Sequence, residues 1–145
     1  STQCYDFTKA NWNEEDIDIK KIALITTNKI FAQSLAAAIK AMPDLEFEFF
    51  LLLNPHQALL DAEILGVDVA LIDVMDSGTE KEETPLLFCE GFHQRLPNCH
   101  LLLLVSQDDS TSRKMAAEAK QKKIIEDFVF SDASLKYLFA KLAAF

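Results

Sequence analysis

A chain of 145 residues suits one domain and is long enough to bury a core of its own. Half of the residues are hydrophobic and 26% are charged, the proportions of a globular domain rather than a disordered one. The formal charge of −9 argues against direct nucleic-acid binding, which needs clustered cations, and it disfavours docking on an anionic membrane.

No apolar run approaches the roughly 20 residues needed to cross a bilayer. No basic stretch leads into an apolar one near the start, so a secretory signal is not expected. Cys4, Cys89 and Cys99 are odd in number and lack redox or metal-ligand spacing, so a disulfide framework is not expected either. The expected compartment is a reducing cytoplasm.

Residues 1–20 form an acidic N-terminal extension carrying Tyr5, Phe7 and Trp12, equally consistent with a docked arm or an unstructured leader. From residue 21 onward short apolar runs alternate with helix-like stretches five times. Strands are predicted at 21–26, 46–53, 68–73, 100–106 and 125–130, and helices at 28–42, 55–65, 84–96, 110–123 and 132–144. Four of the strands are continuously apolar, as in strands covered on both faces. Glu46-Phe47-Glu48-Phe49 alternates, which suits a strand nearer an edge.

The helix starts carry their own signals. Asn54-Pro55 and Thr84-Pro85 each put a capping side chain before a proline at the first helical position. Asp109-Ser110 and Ser131-Asp132 offer capping oxygens to the last two helices, and Gly66 can end the second. In the first helix Ile30, Phe31, Leu35, Ala38, Ile39 and Met42 recur at helical spacing; Leu135, Leu138, Phe139 and Leu142 do so in the last.

Five β–α units in succession imply a three-layer α/β/α domain over 21–145: a doubly wound, five-stranded parallel sheet with helices on both faces. Ligands of such sheets sit beyond the carboxyl ends of the strands. Thr26, Thr27 and Asn28 follow the first strand, Asp73 ends the third, Ser106 and Gln107 the fourth, and Ser131 and Asp132 the fifth. One carboxylate, a few hydroxyls and no lysine therefore converge there. By position alone a lone aspartate at a strand end is as often a loop or helix cap as a functional acid.

The order of these elements, Asp73 closing Leu71-Ile72, Ser106 closing Leu101–Val105, and Asp127-Phe128-Val129-Phe130 before the last helix resemble the receiver domain of two-component response regulators, a flavodoxin-like fold. The resemblance covers about residues 20–145 and rests on co-occurrence of the pieces in order. It implies that Asp73 is the position that accepts a phosphoryl group from a histidine kinase, and that Ser106 and Phe128 are the switch positions. It also implies an acid pair for magnesium at Thr26 and Thr27, and an invariant lysine at Ser131. At those three positions the chain departs from the pattern.

That departure has a physical consequence. Magnesium is usually held by one or two carboxylates together with phosphate. Each uncompensated unit of phosphoryl charge forgoes about 4 kcal/mol at about 4 Å with an effective dielectric near 20. Phosphoryl transfer depends largely on such charge stabilisation, so its rate should fall by several powers of ten. The loop from Val74 to Thr84 adds Asp76, Glu80, Glu82 and Glu83 against Lys81; it reads as a solvated acidic loop, with Asp76 as a candidate replacement metal carboxylate. Ser131 reads as a helix cap rather than a catalytic group.

Other chemistries find little support. His56, His93 and His100 are scattered without ligand spacing, no base is placed near Ser106, and Gly66, Gly78 and Gly91 make no phosphate loop. The stretch from Arg113 to Lys123 holds Arg113, Lys114, Lys120, Lys122 and Lys123 against Glu118, either a solvated face or an interaction patch.

The expected function is therefore a non-enzymatic, degenerate receiver-like signalling module, with magnesium binding weak or absent and no catalytic residues. Its expected partners are a protein or a second copy through the 110–144 face, with a histidine kinase as a further partner. Two alternatives stay open: a phosphorelay receiver that uses Asp73 with groups supplied in trans, and a small-molecule sensor using Thr26, Thr27 and Ser106. The last helix reaches Phe145 without a linker, which suggests a domain cut from a longer protein with an output domain beyond it.

Overall fold

The computed structural model describes residues 19–42, 46–74 and 84–145. The candidate metal carboxylate Asp76, its acidic loop, and nearly all of the N-terminal extension lie outside the described residues. Ten elements alternate along the chain: β1 (Lys20–Ile25), α1 (Lys29–Lys40), β2 (Phe47–Leu52), α2 (Pro55–Leu65), β3 (Val69–Asp73), α3 (Pro85–Arg95), β4 (His100–Val105), α4 (Ser110–Gln121), β5 (Asp127–Phe130) and α5 (Leu135–Ala143).

All four strand pairings are parallel, and the sheet order is β2-β1-β3-β4-β5. The order reverses between β1 and β3, so a crevice opens beyond their carboxyl ends. Alternate residues of the central strands enter two cores. Ala23, Ile25, Ala70, Ile72, Leu101 and Leu103 face one side with residues of α2, α3 and α4. Ile22, Leu24, Val69, Leu71, Leu102 and Leu104 face the other with α1 and α5. This explains the unbroken apolar runs: with helices on both faces, neither set of side chains meets water. Truncating one of these buried leucines, Leu71→Ala for example, leaves a cavity and costs about 2–5 kcal/mol.

Local signals set most boundaries. Asn54, Thr84 and Asp109 accept backbone N–H groups as N-caps of α2, α3 and α4, and Pro55 and Pro85 occupy first-turn positions. Gly66 ends α2 in the left-handed region at φ 71°. Lys123 takes the same conformation, φ 63°, after α4; the N–H of Ile124 reaches back to the Ala119 carbonyl and closes the helix end.

Four sequence expectations need correction. The last strand begins at Asp127 rather than residue 125, and the last helix at Leu135 rather than residue 132. The cap of α5 is Ser134, whose side chain accepts the Tyr137 N–H, so Ser131 is not a helix cap. Its own N–H is committed to the Val105 carbonyl at 2.8 Å, which prolongs the β4–β5 ladder by one residue. Ile30 and Leu135, assigned to the buried stripes, stand 79% and 42% exposed; Phe31, beside Ile30 in the same turn, is the residue that packs against the core. Both ends of the sheet are edge strands: β2 carries exposed Glu48 as its alternation suggested, and in β5 Val129 alone is fully buried.

Cys89 and Cys99 are free and buried. Burial, then the nearby Glu90 charge, pushes the Cys89 thiol up to about 12. Burial, then Asp68, does the same for Cys99, also to about 12. Both behave as small core residues rather than nucleophiles.

Candidate functional site

Strand register builds the crevice. Ile25 pairs with Ile72, so Thr26 arrives level with Asp73, and Thr26 N–H donates to the Leu52 carbonyl at 3.3 Å, holding it between β2 and β3. Asp73 pairs with Leu104, which puts Ser106 two residues further along β4. Val105 pairs with Phe130, which brings Ser131 level with Ser106.

Thr26 and Asp73 are the buried polar residues among those described, at 0% and 5% exposure. The Thr26 hydroxyl donates to Asp73 Oδ2 at 2.8 Å and accepts the Asn28 N–H at 3.0 Å. Asn28 in turn is the N-cap of α1, its Oδ1 accepting the Phe31 N–H at 3.0 Å. Register and capping chemistry thus join Asp73 to the start of a helix through one neutral hydroxyl. Sequence reasoning placed Thr26 in the crevice but missed its bond to Asp73. The signal was available in principle, because hydroxyls end the first strand where an acid ends the third.

The remaining predicted positions divide. Ser106 turns its hydroxyl toward the turn before α4, accepting the Asp108 N–H at 3.3 Å. Phe128 is half-buried with its ring edge-on to Phe130, centroids 6.1 Å apart. Thr27 and Ser131 are exposed at the crevice rim.

The described residues do not fit a magnesium ion. Among them no three Asp, Glu, His or Cys side chains come together as a set able to hold a metal. Thr26 offers a neutral oxygen whose hydrogen is already directed at Asp73. Octahedral magnesium takes its charge balance from carboxylates and phosphate, and a threonine so engaged supplies none.

Asp127, at the opposite end of the sheet from the crevice, accepts Lys120 of α4 at 2.9 Å and also Lys141 of α5. Burial alone would push its carboxyl up, but the hydrogen bonds from Lys141, Lys120 and the Phe128 N–H hold it below the usual carboxylate range. Much of the basic stretch is likewise engaged within the domain: Lys122 pairs with Glu118 one turn back, and Arg113 donates to the Gln107 carbonyl at 2.6 Å. No sequence signal announced the Asp127 cluster, since its partners lie seven residues before and fourteen after it.

A five-stranded parallel sheet in this order, covered by helices on both faces, is the fold of response-regulator receiver domains. The chain superposes on the Francisella response regulator 1452 receiver domain with a TM-score of 0.67 at 15% identity, covering 86% of this chain and 94% of that one. For a CheY-like receiver domain protein of Methanospirillum hungatei JF-1 the TM-score is 0.69 at 11% identity, over 88% and 93% of the two chains. The signal receiver domain of an HD domain-containing protein from Pseudomonas fluorescens Pf-5 gives 0.70 at 17% identity, over 95% and 91%. No protein-family model matches the chain, and no curated protein matches it significantly.

Proposed function

We propose that this domain is a regulatory module of signal transduction that works through protein–protein contacts, with magnesium-dependent phosphorylation of Asp73 impaired. One observation carries the reading. Where a receiver needs acids to hold magnesium beside the acceptor, Thr26 is buried and donates its hydroxyl to Asp73. A phosphoryl group on Asp73 brings roughly two negative charges at neutral pH, and Thr26, Thr27 and Ser131 stand where the resemblance places the magnesium-binding acids and the lysine that would meet them. The module is non-enzymatic and cytoplasmic in this reading. Among the described residues no helix is long and apolar enough to cross a membrane.

The contact surface is the 110–144 face, where α4 and α5 leave Lys114, Leu135 and Tyr137 exposed. An acidic partner or a second copy suits a basic stretch on a domain of net charge −9. The direct test is acetyl phosphate, or fluoroberyllate, with magnesium. The expected result is no stoichiometric incorporation and no magnesium-dependent shift in melting temperature. Saturable, magnesium-dependent modification that Asp73→Asn abolishes would instead establish a phosphorelay receiver. A thermal shift with a metabolite but not with magnesium would point to a sensor.

A further inference from the structure

The crevice contains a chain of hydrogen bonds whose direction is set by a single proton. Thr26 has one hydroxyl hydrogen, and it points at Asp73 Oδ2, 2.8 Å away. The Thr26 oxygen is thereby turned so that a lone pair receives the Asn28 N–H at 3.0 Å. Asn28 holds the first turn of α1 through the Phe31 N–H, also at 3.0 Å. The two inner groups are almost fully shielded from water, so a lost bond is not readily replaced by solvent.

We infer that Thr26 is a positioning residue that couples the chemical state of the Asp73 carboxylate to the N-terminal turn of α1. An anionic Oδ2 draws the hydroxyl hydrogen and fixes the rotamer in which the oxygen accepts from Asn28. Anything that neutralises or occupies Oδ2 removes that preference. The hydroxyl is then free to reorient, and the Asn28 N–H loses a well-aligned acceptor. The turn that feels the change starts at the residue capping α1, on the side of the sheet shared with α5. The coupling rests on the geometry of the crevice and not on whether Asp73 accepts a phosphoryl group, so the acetyl phosphate experiment and this one fail separately.

Amide hydrogen exchange and chemical shifts of the ¹⁵N-labelled 145-residue chain test it. Thr26→Val, which keeps the shape and removes the hydroxyl, should speed exchange at Asn28 about tenfold and move the Phe31 resonance, with Leu102 and Leu103 in β4 unchanged. Thr26→Ser should restore both to the parent values. Asp73→Asn in the parent should also displace Asn28 and Phe31, and the same substitution should add nothing there once Thr26 is valine. Should the valine variant not fold, Asp73→Asn alone decides. Unchanged Asn28 and Phe31 signals in Asp73→Asn, or an equal displacement with and without the hydroxyl, overturns the inference.

Discussion

Two aspartates at opposite ends of the same sheet receive opposite treatment. Asp127, starting the edge strand β5, is met by two ammonium groups, from α4 and α5. Asp73, ending the central strand β3, is met by the hydroxyl of Thr26. The two lysines at Asp127 tie two helices to a strand. The difference teaches that the Asp127 ion pairs serve the architecture, and that a neutral hydroxyl links Asp73 to the start of α1.

The largest expected effect comes from making the crevice resemble the other end in charge demand without giving it cations. Thr26→Asp sets a second carboxylate beside a buried one and should cost about 3 kcal/mol of stability in urea unfolding. Millimolar magnesium should recover part of that loss in the variant and leave the parent unchanged. A parent as responsive to magnesium as the variant would erase the contrast. Next, Thr26→Val leaves Asp73 without this donor and should cost about 1–3 kcal/mol, in a manner nearly indifferent to salt.

At the other end Lys141→Met should cost about 1–2 kcal/mol, because that lysine is the better shielded of the two, 29% against 50% exposed. Lys120→Met should cost about 0.5 kcal/mol, and both losses should shrink in 1 M salt, where the screening length is about 3 Å. The carboxyl of Asp127 is held below its ordinary value of 3.8, so its contribution is full above that pH and is lost as the pH falls through the lowered value. As the pH falls below about 4 the parent should therefore lose stability more steeply than Asp127→Asn. Parallel acid limbs would mean that the cluster does not stabilise the fold.

A change of similar small size touches neither carboxylate. Lys123→Gly relieves a left-handed backbone conformation after α4 and should add about 0.5–1 kcal/mol, seen as a higher melting temperature. It serves as the reference against which changes at either aspartate are read.

The fold was legible because its signals are local. Continuous apolar runs, the Asn54-Pro55 and Thr84-Pro85 starts and the Gly66 stop each act within a few residues, and all reappear in the structure. The misreadings cluster at α5. Ser131, Asp132 and Ser134 are all competent caps; in the fold Ser131 continues the sheet through its N–H to Val105, and Ser134 accepts the Tyr137 N–H. Ile30 lies about 120° around the helix from the stripe of Leu35 and Ala38, and so it stands exposed while its neighbour Phe31 packs inward.

The amino-acid sequence by itself determined the alternation of strands and helices, the presence of one acid and several hydroxyls at the strand ends, and the receiver-like order of the pieces. Those follow from backbone preferences and hydrophobic spacing, which are encoded by neighbours along the chain. Only the tertiary structure decided which strands lie side by side, and so that Thr26 lies within hydrogen-bonding distance of a carboxylate 47 residues away while two lysines from different helices reach Asp127. A hydrogen bond is set to within tenths of an ångström, and that accuracy comes from strand register and helix packing.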